Sequence, residues 1–367
     1  TSEVLDSLPW GDEFDWVDTV SIELTTQMLA ILFDFPWEDR RKLTLWSDWA
    51  GDIELFKDEE QRMIRLGHLH DCATYFTGLW NQKVGKEKTP DLISMMIHSD
   101  VMAEMDQMEF LGNLILLIVG GNDTTRNSMT AVAYGLDLFA DERTKLENDP
   151  SLIPNAVQDI IRWQTPLAHM RRTATQDTVL EGQQIKAGDK LALWYLSANR
   201  DESVFGADAD KIVVDRPNAR RHLAFGHGIH RCVGARLAEL QINVLLEEMA
   251  KRRMRVNVVG APERVAACFV HGYRKLPVTF SKYCFRHRCV TWTGAGPNSL
   301  VSRPPREFDH YDRSSPVPFP RCCGLSDRSA IRLAPGACGG CGKVRSDVQR
   351  CAVESQAVAS GLSHASS

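Results

Sequence analysis

One cysteine sits at the end of a loop whose other residues suit it to present a thiolate to a ligand. The run is Phe225-Gly226-His227-Gly228-Ile229-His230-Arg231-Cys232-Val233-Gly234, and an amphipathic stretch follows it directly. A thiolate needs its charge stabilised, and a helix N-terminus supplies free N–H groups and the positive end of a dipole. Gly226 and Gly228 allow the backbone turns of a tight ligand loop, and Gly234 permits close approach of a flat ligand. Phe225 can cover the sulfur and keep water away. Two other readings compete: a buried cysteine beside a glycine-rich turn, and a hydrolytic nucleophile. The second needs a base aimed at the sulfur, and His230 is only two residues away in the same loop.

A second group is Gly120-Gly121-Asn122-Asp123-Thr124-Thr125, inside a long helical pattern. Glycine in a helix interior costs about 1 kcal/mol relative to alanine, so two in succession ask for a reason. Either they leave room for a ligand against the helix, or they let another helix pack closely. A following threonine can hydrogen-bond back along the helix and help open a kink. The third group is Asp159 and Arg162, three apart and therefore on one helix face, where they can pair. Cys338-Gly339-Gly340-Cys341 has the look of a zinc or redox pair. It lacks a partner pair at zinc-finger spacing, so no metal is expected there.

These groups need elements to hold them, and up to about Lys251 the pattern is mainly helical. Val17 to Phe33 reads as one helix stopped before Pro36, and Trp37 to Trp49 as another. Met105 to Phe139 is long, with Phe110, Leu111, Leu114, Leu117 and Ile118 on its apolar side. Asp149-Pro150 and Pro154 open a shorter helix that ends at Thr165-Pro166. Arg172 to Leu193 suggests short strands around the turn Glu181-Gly182 and the stretch Ala187-Gly188-Asp189. The Cys232 loop precedes a helix carrying Leu237, Leu240, Val244, Leu245 and Met249, and Val256 to Val259 and Leu276 to Phe280 close the fold as strands.

The 367 residues are 43% hydrophobic and 25% charged, which suits a globular chain with a large core. No run approaches the roughly 18 apolar residues of a membrane span. The character changes after Phe280. Residues 281–367 hold 12 Lys/Arg against 6 Asp/Glu, a balance of +6, while the first 280 hold 31 and 42, a balance of −11. Seven of the ten cysteines also fall in that last segment, leaving Cys72, Cys232 and Cys268 in the body. So few cysteines fit a reducing cytoplasm. The acidic body argues against nucleic-acid binding. The last segment, rich in Pro, Gly, Ser, Arg and Cys, reads as a disordered tail or a non-native, out-of-frame or vector-derived stretch.

The Cys232 loop resembles the haem-ligand loop of the cytochromes P450, Phe-Gly-x-Gly-x-His-x-Cys-x-Gly, at all six fixed positions. The resemblance runs from about Asp12 to Phe280. It implies a mainly α fold with small β-sheets, and haem b clamped between the long helix and the loop, with Cys232 as the iron ligand. Phe225, Gly226, His230 and Gly234 would complete the cradle, with His230 bonding a haem carboxylate. Arg172 matches a strand arginine that pairs a haem propionate; an exposed strand charge is the other reading.

In the same comparison Gly120 to Thr124 matches the oxygen groove. Thr124 would hold the activated oxygen and Asp123 would relay protons to it. Asp159, Arg162 and Arg216 match a buried Glu-x-x-Arg and loop-arginine network, with Asp159 one methylene shorter than the family's Glu. Leu117, Gly121, Leu167, Met170 and Phe269 fall where family members line the substrate pocket, although core packing explains them equally well.

The resemblance is nearest to soluble bacterial hydroxylases of terminal carbons in medium-chain alkanes and fatty acids, through Phe14 to Asp18, Ile161 to Arg172 and Arg216 to His222. It implies a cytoplasmic monomer that uses O2 and takes electrons from NAD(P)H through a ferredoxin reductase and a ferredoxin. Arg231, Arg236, Arg252 and Arg253 are candidates to dock the acidic ferredoxin. The family's N-terminal strands and early helices have no counterpart here, and the chain starts at Thr1 rather than Met. A truncated, inactive product and a haem-binding sensor or carrier are therefore the alternatives to an enzyme.

Overall fold

Capping residues set the helix boundaries that matter for the site. Asp106 accepts the Glu109 N–H at 2.8 Å and starts the long helix, Gln107–Leu138, as an N-cap should. Thr165, left-handed at φ 42°, stops the shorter helix Ile153–Gln164, with Pro166 beyond it.

The computed structural model describes residues 1–51 and 58–283. A short helix α1 (Ser2–Asp6) and strand β1 (Phe14–Asp15) lead into a π-helical stretch, Val17–Ile22, continued by α2 (Glu23–Phe33). Then come α3 (Arg41–Gly51), α4 (Glu59–Lys83), α5 (Leu92–Ile97), the long α6 (Gln107–Leu138), α7 (Ala140–Asn148) and α8 (Ile153–Gln164). Strands β2 (Met170–Thr173), β3 (Thr178–Leu180), β4 (Gln183–Ile185) and β5 (Lys190–Leu193) follow, then α9 (Tyr195–Ala198) and α10 (Glu202–Phe205). The Cys232 loop leads to α11 (Ala235–Arg252), and β6 (Met254–Val258), β7 (Glu263–Arg264), β8 (Tyr273–Lys275) and β9 (Pro277–Lys282) end the described chain.

Among the described residues all strand pairing is antiparallel. One three-stranded sheet has the order β1-β9-β6, and β2-β5, β3-β4 and β7-β8 are two-stranded. The expected mainly α fold with small sheets is what forms. At 32 residues α6 is about 48 Å long, and it joins two apolar clusters. Its C-terminal half, through Met129, Val132 and Leu136, packs with α8, α11 and the β6-β9 strands. Its N-terminal half, through Phe110, Leu114 and Ile118, packs with α2, α3 and α4 around Phe33, Trp46 and Phe76.

Besides the short α1, α5, α9 and α10, two longer helices went unread in the sequence. The 25-residue α4 is buried only at Cys72, Ala73, Phe76 and Leu79, and α7 only at Leu146. A helix that buries so little carries a diluted period. Among the described residues no helix is long and apolar enough to cross a membrane. The expectation of a disordered or non-native tail lies outside the described residues.

Candidate active site

Backbone hydrogen bonds build the Cys232 loop. Leu223 accepts the Gly226 N–H at 2.8 Å, Gly228 accepts that of Arg231 at 3.0 Å, and Phe225 accepts that of Cys232 at 2.9 Å. Gly226 and Gly228 take φ of 69° and 80°, a region that penalises any side chain. The loop is moored behind by the Asn199 side chain, which accepts the Leu223 N–H at 2.7 Å, and by Phe225 packed against His222. Cys232 is exposed, two residues before the Gly234 N-cap of α11. Desolvation by the crowding loop pushes its thiol pKa up, while the Gly234 N–H and the Arg231 charge pull it down. Those two groups give a thiolate its stabilisation once something binds it.

His222 is buried with its pKa lowered to about 4, by burial first and then by Arg162, Arg231 and Arg220. It is neutral at pH 7: Nδ1 accepts the Ala224 N–H at 3.2 Å, and Nε2 donates to Gln158 at 3.3 Å.

On α6 the Thr124 hydroxyl donates to the Gly120 carbonyl at 2.7 Å, the back-bond expected from its position, and the helix runs unbroken through it. The two glycines divide their roles. A Cβ on Gly120 would meet nothing within 4 Å, whereas one on Gly121 would lie 2.8 Å from Leu29 Cδ2. Gly121, expected among the pocket residues, is thus a packing glycine against α2, and Gly120 is the open one. Leu116 was also missed: it is 70% exposed and lies one turn before Gly120. Met108, Gly112, Leu116 and Gly120 recur every four residues as an exposed stripe that ends on the half-buried Thr124. Leu117, chosen from the sequence, packs instead at the edge of the α2-α3-α4 cluster. The four-residue spacing back from Thr124 was the signal that could have found Leu116.

Asp123, next to Thr124, is buried and turned toward α3. Its Oδ1 accepts from Ser47 Oγ at 2.9 Å, Arg126 Nη2 at 2.9 Å and Asn122 Nδ2 at 3.3 Å. Arg126, three residues on, could have been read from helical spacing; Ser47, 76 residues away, could not.

The third group assembles in full. Asp159 and Arg162 are fully buried and Arg216 nearly so. Asp159 Oδ1 accepts from Arg162 Nε at 2.6 Å and Arg216 Nε at 2.9 Å. Its Oδ2 accepts from Arg162 Nη2 at 3.1 Å and the Val213 N–H at 2.7 Å. The shorter carboxylate therefore reaches every partner.

Arg172, on β2, donates to the Arg171 carbonyl at 2.8 Å and has no ion pair among the described residues. His230 is exposed beside the thiol. The segments of Leu167 and Phe269 come together where Leu167 bridges Val270 and the Ala168 N–H bonds the Phe269 carbonyl at 2.9 Å, and Met170 lies on β2 opposite Leu193 of β5. Of the four candidate docking arginines, Arg231 and Arg236 flank the loop. Arg252 is about 24 Å from Arg236 along α11, engaged with Asp6 and Glu248, and Arg253 caps that far end. The last two are removed from the loop.

The donor set tests which cofactor fits. No three His, Cys, Asp or Glu side chains converge among the described residues. A metal at Cys232 must therefore bring its remaining ligands with it, as iron in a porphyrin does. Arg172 and His230 offer charge and hydrogen bonds to acidic substituents, and Gly120 leaves a side of α6 open. A lone thiol in a glycine-shaped loop, without further metal-ligating side chains around it among the described residues, suits the thiolate ligand of a haem.

The comparisons agree. The family model for cytochrome P450 matches residues 148–252. The solved structure of CYP153D17 from Sphingomonas sp. PAMC 26605 is 82% identical, with a TM-score of 0.73 over 77% of this chain and 70% of that one. Linalool 8-monooxygenase of Pseudomonas putida is 34% identical over 282 residues, covering 75% of this chain and 67% of that protein. Methyl-branched lipid omega-hydroxylase of Mycobacterium tuberculosis is 35% identical over 273 residues, covering 73% and 62%. The chain belongs to the cytochrome P450 family, with haem b as cofactor, O2 as co-substrate and electrons derived from NAD(P)H.

Proposed function

We propose that this protein hydroxylates an unactivated C–H bond of a small hydrophobic substrate, at the terminal carbon of a medium-chain alkane or fatty acid. The observation that carries the reading is the bare stripe on α6, apolar from Met108 to Gly120 and ending on the Thr124 hydroxyl. A narrow apolar track leading to one polar group suits an extended alkyl chain presented end-on. The stretches quoted above as alkane-hydroxylase-like, and an omega-hydroxylase among the relatives, point the same way.

Cys232 would ligate the haem iron, with Arg172 and His230 on its propionates. When bound, the haem supplies O–O cleavage and C–H oxidation, favoured by electron density from the thiolate. The chain's own residues control substrate, water and protons. Leu116 and Gly120 shape the track, and Leu167, Met170 and Phe269 form a second apolar wall. The Thr124 hydroxyl, now bonded to the Gly120 carbonyl, can turn to hold a proton at the open side of α6. Asp123 stores the proton-exchanging carboxylate next to it. Arg231 and Arg236 present positive charge beside the loop to an acidic ferredoxin, served by its reductase.

The test is the carbon monoxide difference spectrum of the reduced, haem-loaded protein beside Cys232→Ala, followed by turnover with a ferredoxin system. A strongly red-shifted Soret band that the substitution abolishes, together with terminal alcohol from an alkane or fatty acid, is expected. A band that survives Cys232→Ala would overturn the ligand assignment. A normal band without turnover on any alkyl substrate would favour a sensor or carrier.

A further inference from the structure

Asp123 faces away from the groove that its neighbour lines. Successive residues on an α-helix are about 100° apart, and Thr124 belongs to the bare stripe while the Asp123 carboxylate is buried against α3. The α3 surface is shaped around it. Ser47 donates its hydroxyl to Asp123 Oδ1 at 2.9 Å. Asp48, the next residue, accepts from Arg126 Nη1 at 3.0 Å, while Arg126 Nη2 donates to Asp123 Oδ1 at 2.9 Å. Gly51, one turn on, leaves room: a Cβ there would come within 3.2 Å of Asp123 Oδ2. The site thus puts a hydroxyl and a bare Cα one turn apart on the α3 face that meets Asp123, with the Asp48 carboxylate beside that face on Arg126.

We propose that Ser47 is a positioning residue for the Asp123 carboxylate, and that Asp48 sets how firmly Arg126 holds it. The proposal rests on the monooxygenase reading, in which Asp123 serves proton delivery. Arg126 is shared between two carboxylates, one with a half-exposed side chain at 43% and one buried at 6%. Each carboxylate weakens the other's claim on the guanidinium. Neutralising Asp48 removes one carboxylate that competes for Arg126 and one negative charge near Asp123, and so favours the charged form of Asp123. Removing the Ser47 hydroxyl has the opposite sign, because a hydrogen bond to the carboxylate favours its ionised state. A carboxylate held too tightly does not release a proton, and one held too loosely does not keep its place. The pairing of Ser47 with Asp48 on α3 sets the balance, and ties proton delivery to the seating of that helix on α6.

The two substitutions must therefore shift one carboxylate in opposite directions, which a merely structural role would not do. The measurement is infrared difference titration of the haem-loaded full chain carrying 13C-labelled aspartate, with the Asp123 band identified by its loss in Asp123→Asn. Ser47→Ala is expected to move that band's titration up, Asp48→Asn to move it down, and Ser47→Thr to restore it. In turnover, Ser47→Ala is expected to raise hydrogen peroxide released per product by roughly tenfold, the order set by one hydrogen bond to a charged group. A band unmoved by Ser47→Ala, or moved the same way by both substitutions, would overturn the proposal. Asp48 lies at the surface, so Asp48→Asn still decides the matter if Ser47→Ala folds poorly. Should Asp123→Asn leave coupling intact, the proton-delivery reading fails, while the infrared shifts still judge Ser47 and Asp48 independently.

Discussion

Replacing Asp159 tests whether the buried carboxylate is the keystone of the region behind the thiol loop. Its two oxygens accept four hydrogen bonds, from Arg162 twice, from Arg216 and from the Val213 N–H. The two guanidiniums also brace chain segments that have no regular structure. Arg162 donates to the carbonyls of Asn199, Ala209 and Lys211 at 2.7, 2.6 and 2.6 Å. Arg216 reaches the Phe205 and Asp208 carbonyls and the Asp208 carboxylate.

Asp159→Ala leaves two buried cations with one exposed-side carboxylate between them. Removing one partner of a buried ion pair costs about 3–5 kcal/mol. For a chain of this size that is a fall of about 4–8 °C in Tm. Urea unfolding followed by tryptophan fluorescence reads it, since Trp163 is bonded to the Asp210 carbonyl at 2.9 Å beside the network. Asp159→Glu, which installs the family's longer acid, is expected to cost about 1–3 kcal/mol, because the site is already filled and satisfied. A loss below about 1 kcal/mol in Asp159→Ala would refute the keystone argument. A gain in Asp159→Glu would show that the shorter acid is a poor fit after all.

Two further outcomes follow from the same geometry. Gly120→Ala is expected to stabilise the chain by up to about 1 kcal/mol through helix propensity while weakening the substrate-induced spectral shift. Gly121→Ala should instead destabilise it by about 1–3 kcal/mol by driving into Leu29; equal effects in urea melts would show that the glycines are not divided as described. His222 and His271 are both lowered to about 4, chiefly by burial. The unfolded state therefore binds more protons below pH 6.5, and stability is lost as pH falls from there toward 4. At pH 5 each histidine should cost about 2 kcal/mol. Urea midpoints at pH 7 and 5 that coincide would contradict this, and His222→Gln should remove about half of the slope.

Much of this was legible because ligand loops and caps are local. The turns at Gly226 and Gly228, the stop at Thr165-Pro166 and the back-bond of Thr124 each depend on residues within a few positions of one another. The Asp159 network was readable as a pairing, but not in its geometry. Whether one methylene less still reaches Arg216 depends on how the loop from Asn199 to Arg216 folds back on α8, and no spacing encodes that. Gly121 was misplaced for a related reason. Adjacent glycines look alike in sequence, and only the position of Leu29, 92 residues earlier, separates the packing glycine from the open one. Leu117 was preferred to Leu116 because apolar residues are usually read as inward-facing; at a ligand groove the informative residue is the apolar one left bare.

That bare stripe also explains why the central helix is so polar. A helix enclosed between two apolar clusters could have been mostly leucine, yet from Asn122 to Thr130 α6 carries Asn, Asp, Thr, Thr, Arg, Asn, Ser, Met and Thr. Most of the polar side chains anchor the helix in a different direction. Asn122 accepts from Thr25 on α2 at 3.0 Å, Asp123 from Ser47 on α3, and Thr130 meets Ser21 at 3.0 Å. Asn127 accepts the Tyr273 N–H of β8 at 2.9 Å and sits where Gly272 leaves it space. Apolar packing alone would let a smooth helix turn or slide at little cost, whereas directional bonds to three separate elements fix its rotation. Rotation is what the site needs. A turn of one residue's arc would carry Thr124 and Gly120 into the packing and bring Asp123 or Gly121 to the groove. The cost of burying so many polar groups is thus matched to a single requirement: the one unbonded face of α6 must be the face that meets the ligand.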